Sequence, residues 1–203
     1  MVFFSKSDRD IKKICLVLRQ GEVVAAPTET AYGLLCDATN KSAVARLAKL
    51  KGRRGGKFIP LVVSDYKMAC RSAIFSPLAF KLARRFWPGP LTLVLPSRGE
   101  WSVYIAGPDH KVGWRLTGSA WLRKLIRTYG RPLTATSANI SGAPAGYDYE
   151  SVASALQSCG LKYIVRARRL PSRTVSTVVE VIGEHWRLLR SGAVSLTKLK
   201  TIK

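Results

Sequence analysis

The chain has 203 residues, 47% of them apolar, and 34 Lys and Arg against 12 Asp and Glu, a formal net charge of +22. That length allows one domain with a sizeable core, and so positive a field attracts polyanions such as nucleotides, nucleic acid or anionic membrane. No apolar run approaches the ~18 residues of a membrane span. The four cysteines (Cys15, Cys36, Cys70, Cys159) form no C-x-x-C pair, and with two histidines they argue against structural zinc and against a disulfide framework. The short apolar start, Met1 to Phe4, is followed by charges, unlike a signal peptide. A reducing, cytoplasmic setting is the expectation.

In chain order, Ser7 with Asp10 resembles a capping box, and Ile11, Ile14, Cys15 and Leu18 keep a helical period up to Gly21. Residues 22–26 read as a strand that runs into Pro27-Thr28-Glu29-Thr30-Ala31-Tyr32-Gly33-Leu34. Ligands of open α/β sheets bind beyond the carboxyl ends of strands. This segment is therefore a candidate site, with an ordinary turn as the plainer reading. Val44, Leu47 and Ala48 share one helical face, and the helix runs into Lys49-Leu50-Lys51-Gly52-Arg53-Arg54-Gly55-Gly56-Lys57. Glycines permit close backbone approach, and cations of both kinds suit phosphate, so this loop could hold a polyphosphate or be a solvated basic surface. It is neither a Walker A loop nor a dinucleotide fingerprint.

Ile59 to Val63 reads as a buried strand, and Ser76-Pro77 opens a helix that stops at Trp87-Pro88-Gly89-Pro90. Leu91 to Leu95 is a strand, followed by a loop from Arg98 to Lys111 whose His110, beside Asp109, reads as solvated. Residues 112–116 alternate like a strand, and an arginine inside a strand, Arg115, must be paired or face a ligand. Residues 119–129 read as a helix capped by Gly130, and 133–136 as a strand leading into Ser137-Ala138-Asn139-Ile140-Ser141-Gly142, a run suited to ligand contact or to a plain turn. A short helix at 149–157 and a hairpin of 176–181 with 185–190 complete the chain, placing Arg190 at a strand end. Mixed helices and strands throughout predict an α/β or α+β fold in one domain, residues 1–203 with a core of about 7–193.

Together these segments resemble the YrdC-like family, the threonylcarbamoyl-AMP synthases of tRNA modification. The resemblance rests on residues 27–34, 50–53, 86–92, 136–142, 176–180 and 188–193, in the family's order. The family's Lys-x-Arg and Ser-x-Asn signatures fall on Lys51, Arg53, Ser137 and Asn139. The resemblance implies a twisted mixed sheet flanked by helices around a basic cavity. It implies formation of threonylcarbamoyl-adenylate and pyrophosphate from L-threonine, bicarbonate and ATP, for tRNA t6A37. Lys51 and Arg53 become the catalytic candidates. Lys51, Arg53, Lys57, Ser137, Asn139 and Arg190 are candidates for ATP, and Thr30, Arg115 and Ser176 for threonine. Mg²⁺ is expected on the ATP rather than in a protein cage. Downstream tRNA-modification partners are implied, and the charge leaves room for tRNA or double-stranded RNA. The alternative is a non-catalytic RNA-binding protein of this fold acting in ribosome maturation. Four places depart from the family pattern: Phe58 in place of a proline, no histidine within 62–64, Lys111 in place of a threonine or serine, and Ala145-Gly146-Tyr147 in place of a Ser/Pro-Thr pair. They bear on the threonine and adenine ends more than on the phosphate end. With the chain ending soon after Gly192, the single-domain form is expected.

Overall fold

The structure is a computed structural model and describes residues 1–53, 58–107, 109–171 and 174–202. Lys57, with the rest of the glycine-rich stretch 54–57, lies outside the described residues. The helices are α1 (Asp8–Arg19), α2 (Lys41–Leu50), α3 (Tyr66–Cys70), α4 (Pro77–Phe86), α5 (Ala120–Tyr129), α6 (Tyr149–Gln157) and α7 (Leu196–Lys200). Each starts where a short polar side chain accepts a hydrogen bond from a first-turn amide: Ser7, Asn40, Asp65, Ser76, Ser119, Asp148 and Ser195. Such caps satisfy amides that have no partner inside the helix. Gly130 ends α5 at φ +87°, in the left-handed region where a side chain is disfavoured.

The strands are β1 (Val2–Phe4), β2 (Val24–Pro27), β3 (Tyr32–Leu35), β4 (Leu61–Val63), β5 (Leu91–Pro96), β6 (Lys111–Leu116), β7 (Leu133–Thr134), β8 (Thr136–Ser137), β9 (Tyr163–Val165), β10 (Thr177–Ile182) and β11 (His185–Arg190). They divide into two mixed sheets instead of one, in the orders β1-β9-β2-β3-β8 and β11-β10-β5-β6-β4-β7. The segment 133–137 crosses from the second sheet to the first. β7 pairs with β4, β8 pairs with β3, and an isolated bridge joins Asp37 to Leu133. Asp37 fixes this junction. Its Oδ2 accepts from the Tyr129 hydroxyl (2.7 Å) and lies 3.3 Å from Arg131 Nη1, while Oδ1 accepts from Thr39 N (2.8 Å) and Thr39 Oγ1 (2.7 Å).

The core lies on the inner faces of both sheets. Tyr32, Leu34, Leu61, Leu91 and Trp114 are fully buried there, and helices α1, α2, α4 and α5 lay their apolar stripes over them. Residues 27–34, read as a strand end and turn, instead fold into a hairpin whose return strand is β3, with Pro27 opposite Tyr32. The tight turn between them is built by Thr28: its Oγ1 accepts from the amides of Thr30 (3.1 Å) and Ala31 (3.3 Å) and donates to Ala31 O (2.7 Å).

Candidate active site

One cleft draws its walls from both sheets and has a cavity volume of about 140 Å³. The Thr28–Gly33 hairpin supplies one wall. Arg115 of β6, Ser137 of β8, Ser176 just ahead of β10 and Arg190 at the end of β11 supply the others, with Arg53 and Phe58 at the α2-to-β4 junction. Of the residues expected from sequence, the cleft thus gathers Thr30, Arg53, Arg115, Ser137, Ser176 and Arg190. Lys51 and Asn139 do not line it; they stand behind Ser137.

Lys51 caps the C-terminus of α2 and is 4% exposed. Its Nζ donates to Ser137 O, Asn139 O (2.8 Å) and Asn139 Oδ1 (3.0 Å). All three ammonium protons are therefore committed to the Ser137–Asn139 segment. Asn139 Oδ1 also accepts from the Ser137 hydroxyl, and Asn139 Nδ2 donates to Ala143 O. Ser141 N closes the unit on Lys51 O at 3.0 Å. Burial, with the Arg53 charge second, pulls the Lys51 ammonium down to about 8. The Lys-x-Arg and Ser-x-Asn signatures are thus one hydrogen-bonded object. Lys51 braces a loop whose Ser137 faces the cleft.

Among the described residues, three guanidinium groups face the cleft. Arg53 Nη2 donates to Phe58 O at 3.3 Å, while Nη1 is buried with no hydrogen-bond partner among the described residues. Burial lowers the Arg53 guanidinium from its ordinary range. An unpaired buried donor of this kind is satisfied when an anion arrives. Arg190 Nε and Nη2 both donate to Ser176 O (3.1 and 2.8 Å), and Nη2 also to Ser176 Oγ (2.9 Å). A bulge between Val178 and Val179 shifts the β10–β11 register, and beyond it Arg190 turns back over Ser176. Burial and then the neighbouring Arg115 charge lower the Arg190 guanidinium. Ser176 Oγ is also 3.1 Å from Thr92 Oγ1. Gly192 keeps this corner closed, since a Cβ there would lie 2.4 Å from Val175 O and 2.5 Å from Thr177 N.

Arg115 is buried in a central strand, its Nε 3.6 Å from Glu29 Oε1. Glu29 Oε2 accepts from the Thr117 hydroxyl at 2.6 Å. Burial pushes the Glu29 carboxyl up, but Arg115, the Thr117 hydrogen bond and the backbone amides of Glu29 and Gly118 together outweigh it, leaving the carboxyl below its ordinary value. The sequence marks the segment that holds Glu29 as a candidate site but gives Glu29 no role of its own, and it misses Thr117. Thr117 carries a weak signal, a hydroxyl just past the end of β6 and two residues beyond Arg115.

The departures from the family pattern have definite places. Phe58, 46% exposed, forms cleft wall and also borders a second, more apolar groove with Trp101, Val103 and Ala106. Lys111 does not line the cleft; at the far end of β6, its Nζ lies 2.6 Å from Glu180 Oε1 and 3.2 Å from Asp109 Oδ2. Gly146 O accepts from Tyr32 N at 2.9 Å, tying residues 145–147 to the hairpin wall.

Fold and cleft define an α/β protein in which two mixed sheets share a basic, hydroxyl-rich cleft. The chain belongs to the Sua5/YciO/YrdC family: the model described as "Telomere recombination" matches residues 16–192. A Vibrio vulnificus protein named threonylcarbamoyl-AMP synthase is 38% identical over 136 residues, 66% of this chain and 73% of that protein. A Bacillus subtilis protein of the same name is 33% identical over 211 residues, covering 98% of this chain and 58% of its own length. The structure described as Pyrococcus abyssi Sua5 complexed with L-threonine superposes with a TM-score of 0.92 at 31% identity, over 100% of this chain and 61% of that one. Escherichia coli YciO, at a TM-score of 0.88 and 21% identity, shares the fold. The chain therefore spans about three fifths of the Sua5 and Bacillus relatives.

Proposed function

We propose that this protein is a threonylcarbamoyl-AMP synthase, a nucleotidyltransferase that makes threonylcarbamoyl-adenylate and pyrophosphate from L-threonine, bicarbonate and ATP. The observation that carries the reading is the convergence of Arg53, Arg115 and Arg190 with Ser137 and Ser176 on one cleft, in a chain whose relatives bear that name. Bicarbonate and the threonine amine give a carbamate with loss of water, and a carbamate oxygen attacks the ATP α-phosphorus as the bond to the leaving pyrophosphate breaks. Two anions must meet, so the site has to supply fixed positive charge and positioning. Adenylyl transfer of this kind needs no protein nucleophile.

Arg53 and Arg190, with the Ser137 hydroxyl and Lys57, would hold the phosphates. Lys51 and Asn139 would act by shaping the loop beneath them. The Arg115 fork would take the threonine carboxylate as a bidentate pair, with Thr30 and Ser176 at the same end. Mg²⁺ would enter on the ATP; Glu29, the carboxylate beside Arg115, is committed to Arg115 and Thr117. No helix among the described residues is long and apolar enough to cross a membrane, and we place the reaction in the cytoplasm, with a downstream transferase and tRNA as partners.

Two substitutions test the division of the cleft. Arg53→Ala should weaken ATP use by about ten- to a hundredfold, the loss of a charge-assisted hydrogen bond worth about 1.5–3 kcal/mol. Arg115→Ala should raise the threonine KM more than the ATP KM. Pyrophosphate release measured against each substrate reads both effects. The reverse pattern, with Arg115→Ala acting on ATP and Arg53→Ala on threonine, would contradict the placement.

A further inference from the structure

Glu29 is a buried carboxylate that the proposed chemistry leaves unused. It does not line the cleft; it stands behind Arg115. Its two oxygens do different things. Oε2 accepts from the Thr117 hydroxyl (2.6 Å), which fixes the plane of the carboxylate. The backbone amides of Glu29 and Gly118 also favour the ionised carboxylate, and Oε1, which no side chain among the described residues hydrogen-bonds, is turned to the Nε edge of Arg115, 3.6 Å away. The side chains of the pair are 8% and 13% exposed. With water largely excluded, the attraction between them is weakly screened.

Guanidinium geometry gives this pairing a consequence. Arg has one inner N–H, on Nε, and a terminal fork on Nη1 and Nη2. A carboxylate held on the Nε side leaves the fork free for a second carboxylate in bidentate geometry. No hydrogen bond to another described residue occupies the terminal nitrogens of Arg115. The neighbouring Arg190 repels Arg115, as the lowering of its own guanidinium by the Arg115 charge records. Arg190 is anchored on Ser176, so Arg115 is the partner that would swing away without a counter-charge behind it.

We propose that Glu29 is a positioning residue for the amino-acid substrate, holding Arg115 by its Nε edge so that the terminal fork is presented to the substrate carboxylate. This rests on the reading that Arg115 receives that carboxylate. Thr117 supports Glu29 in turn by fixing its second oxygen. Glu29 acts on the amino-acid end alone, and its removal leaves the phosphate end, built from Arg53, Arg190 and the Lys51-braced loop, in place.

The test is pyrophosphate release by the intact protein with ATP, Mg²⁺ and bicarbonate, at varied threonine and then at varied ATP. Glu29→Gln, Glu29→Asp and Thr117→Val are compared with wild type. Glu29→Gln keeps the shape and a hydrogen-bond acceptor but loses the charge; its threonine KM should rise about tenfold while its ATP KM stays within about twofold. Glu29→Asp should recover part of the loss, and Thr117→Val should move the threonine KM the same way by less. A thermal midpoint near that of wild type confirms that each variant folds. Equal rises in both KM values, or an unchanged threonine KM in Glu29→Gln, would overturn the proposal while leaving the synthase reading intact. A wild-type protein with no threonine-dependent release would overturn that reading and this one with it.

Discussion

Lys51 is a signature residue whose ammonium is bonded to the protein itself. The sequence places it among phosphate-binding candidates, as a cation in a glycine-rich basic loop. The fold turns its ammonium away from the cleft and spends all three protons on Ser137 and Asn139. The bracing role proposed for it is electrostatic and architectural, which a one-dimensional pattern cannot distinguish from direct contact. A pH dependence follows. Below about 8 the ammonium is intact; above it one donor and the charge are lost, and the Ser137–Asn139 loop loosens. Because kcat/KM reports ionisations of the free enzyme, kcat/KM for ATP should fall as pH rises through about 8. A profile level up to about pH 10, near the ordinary lysine value, would contradict the bracing role. Arg115 was legible for the opposite reason: an arginine inside an alternating strand has few physical excuses. Its partner Glu29 was not, because the two lie far apart in the chain and only the packing of the first hairpin against β6 brings them together.

At the scale of elements, the strongly patterned pieces were readable, and several of the short ones were not. Helices α1, α2, α4, α5 and α6 carry caps and apolar stripes, and strands β5, β6 and the β10–β11 hairpin carry period-two patterns or apolar runs. The strands β1 and β9, three residues each, have too few positions to show a period. Strand β3 was hidden because its four residues, Tyr32–Leu35, are buried on both faces and so do not alternate. The split into two sheets depends on the crossing at 133–137, a tertiary event with no local signal. The junction at Asp37 should therefore be costly to break. Asp37→Ala leaves the Tyr129 hydroxyl without its acceptor in a buried position, and should lower stability by about 1–3 kcal/mol in chemical denaturation. An unchanged midpoint would show that the junction is held by packing alone.

Over the whole molecule, the +22 charge and the cleft belong to different levels of description. The charge sets a field that concentrates any polyanion; it could not, by itself, separate an enzyme acting on ATP from a protein that binds RNA. Relatives named threonylcarbamoyl-AMP synthase favour the enzyme, and the cleft fits that reading, because among the described residues it combines three guanidinium groups with small hydroxyls and an arginine beside its own carboxylate. A surface for nucleic acid alone has no need of such a buried pair. The family supplies the reaction, and the geometry of this chain says which side chains would carry it. The most direct test is to incubate the protein with ATP, Mg²⁺, bicarbonate and L-threonine, follow pyrophosphate release with and without threonine, and weigh the nucleotide product. Threonine-dependent release together with the mass of threonylcarbamoyl-adenylate is the predicted result. A folded protein that releases no pyrophosphate, or releases it equally without threonine, would contradict the assignment.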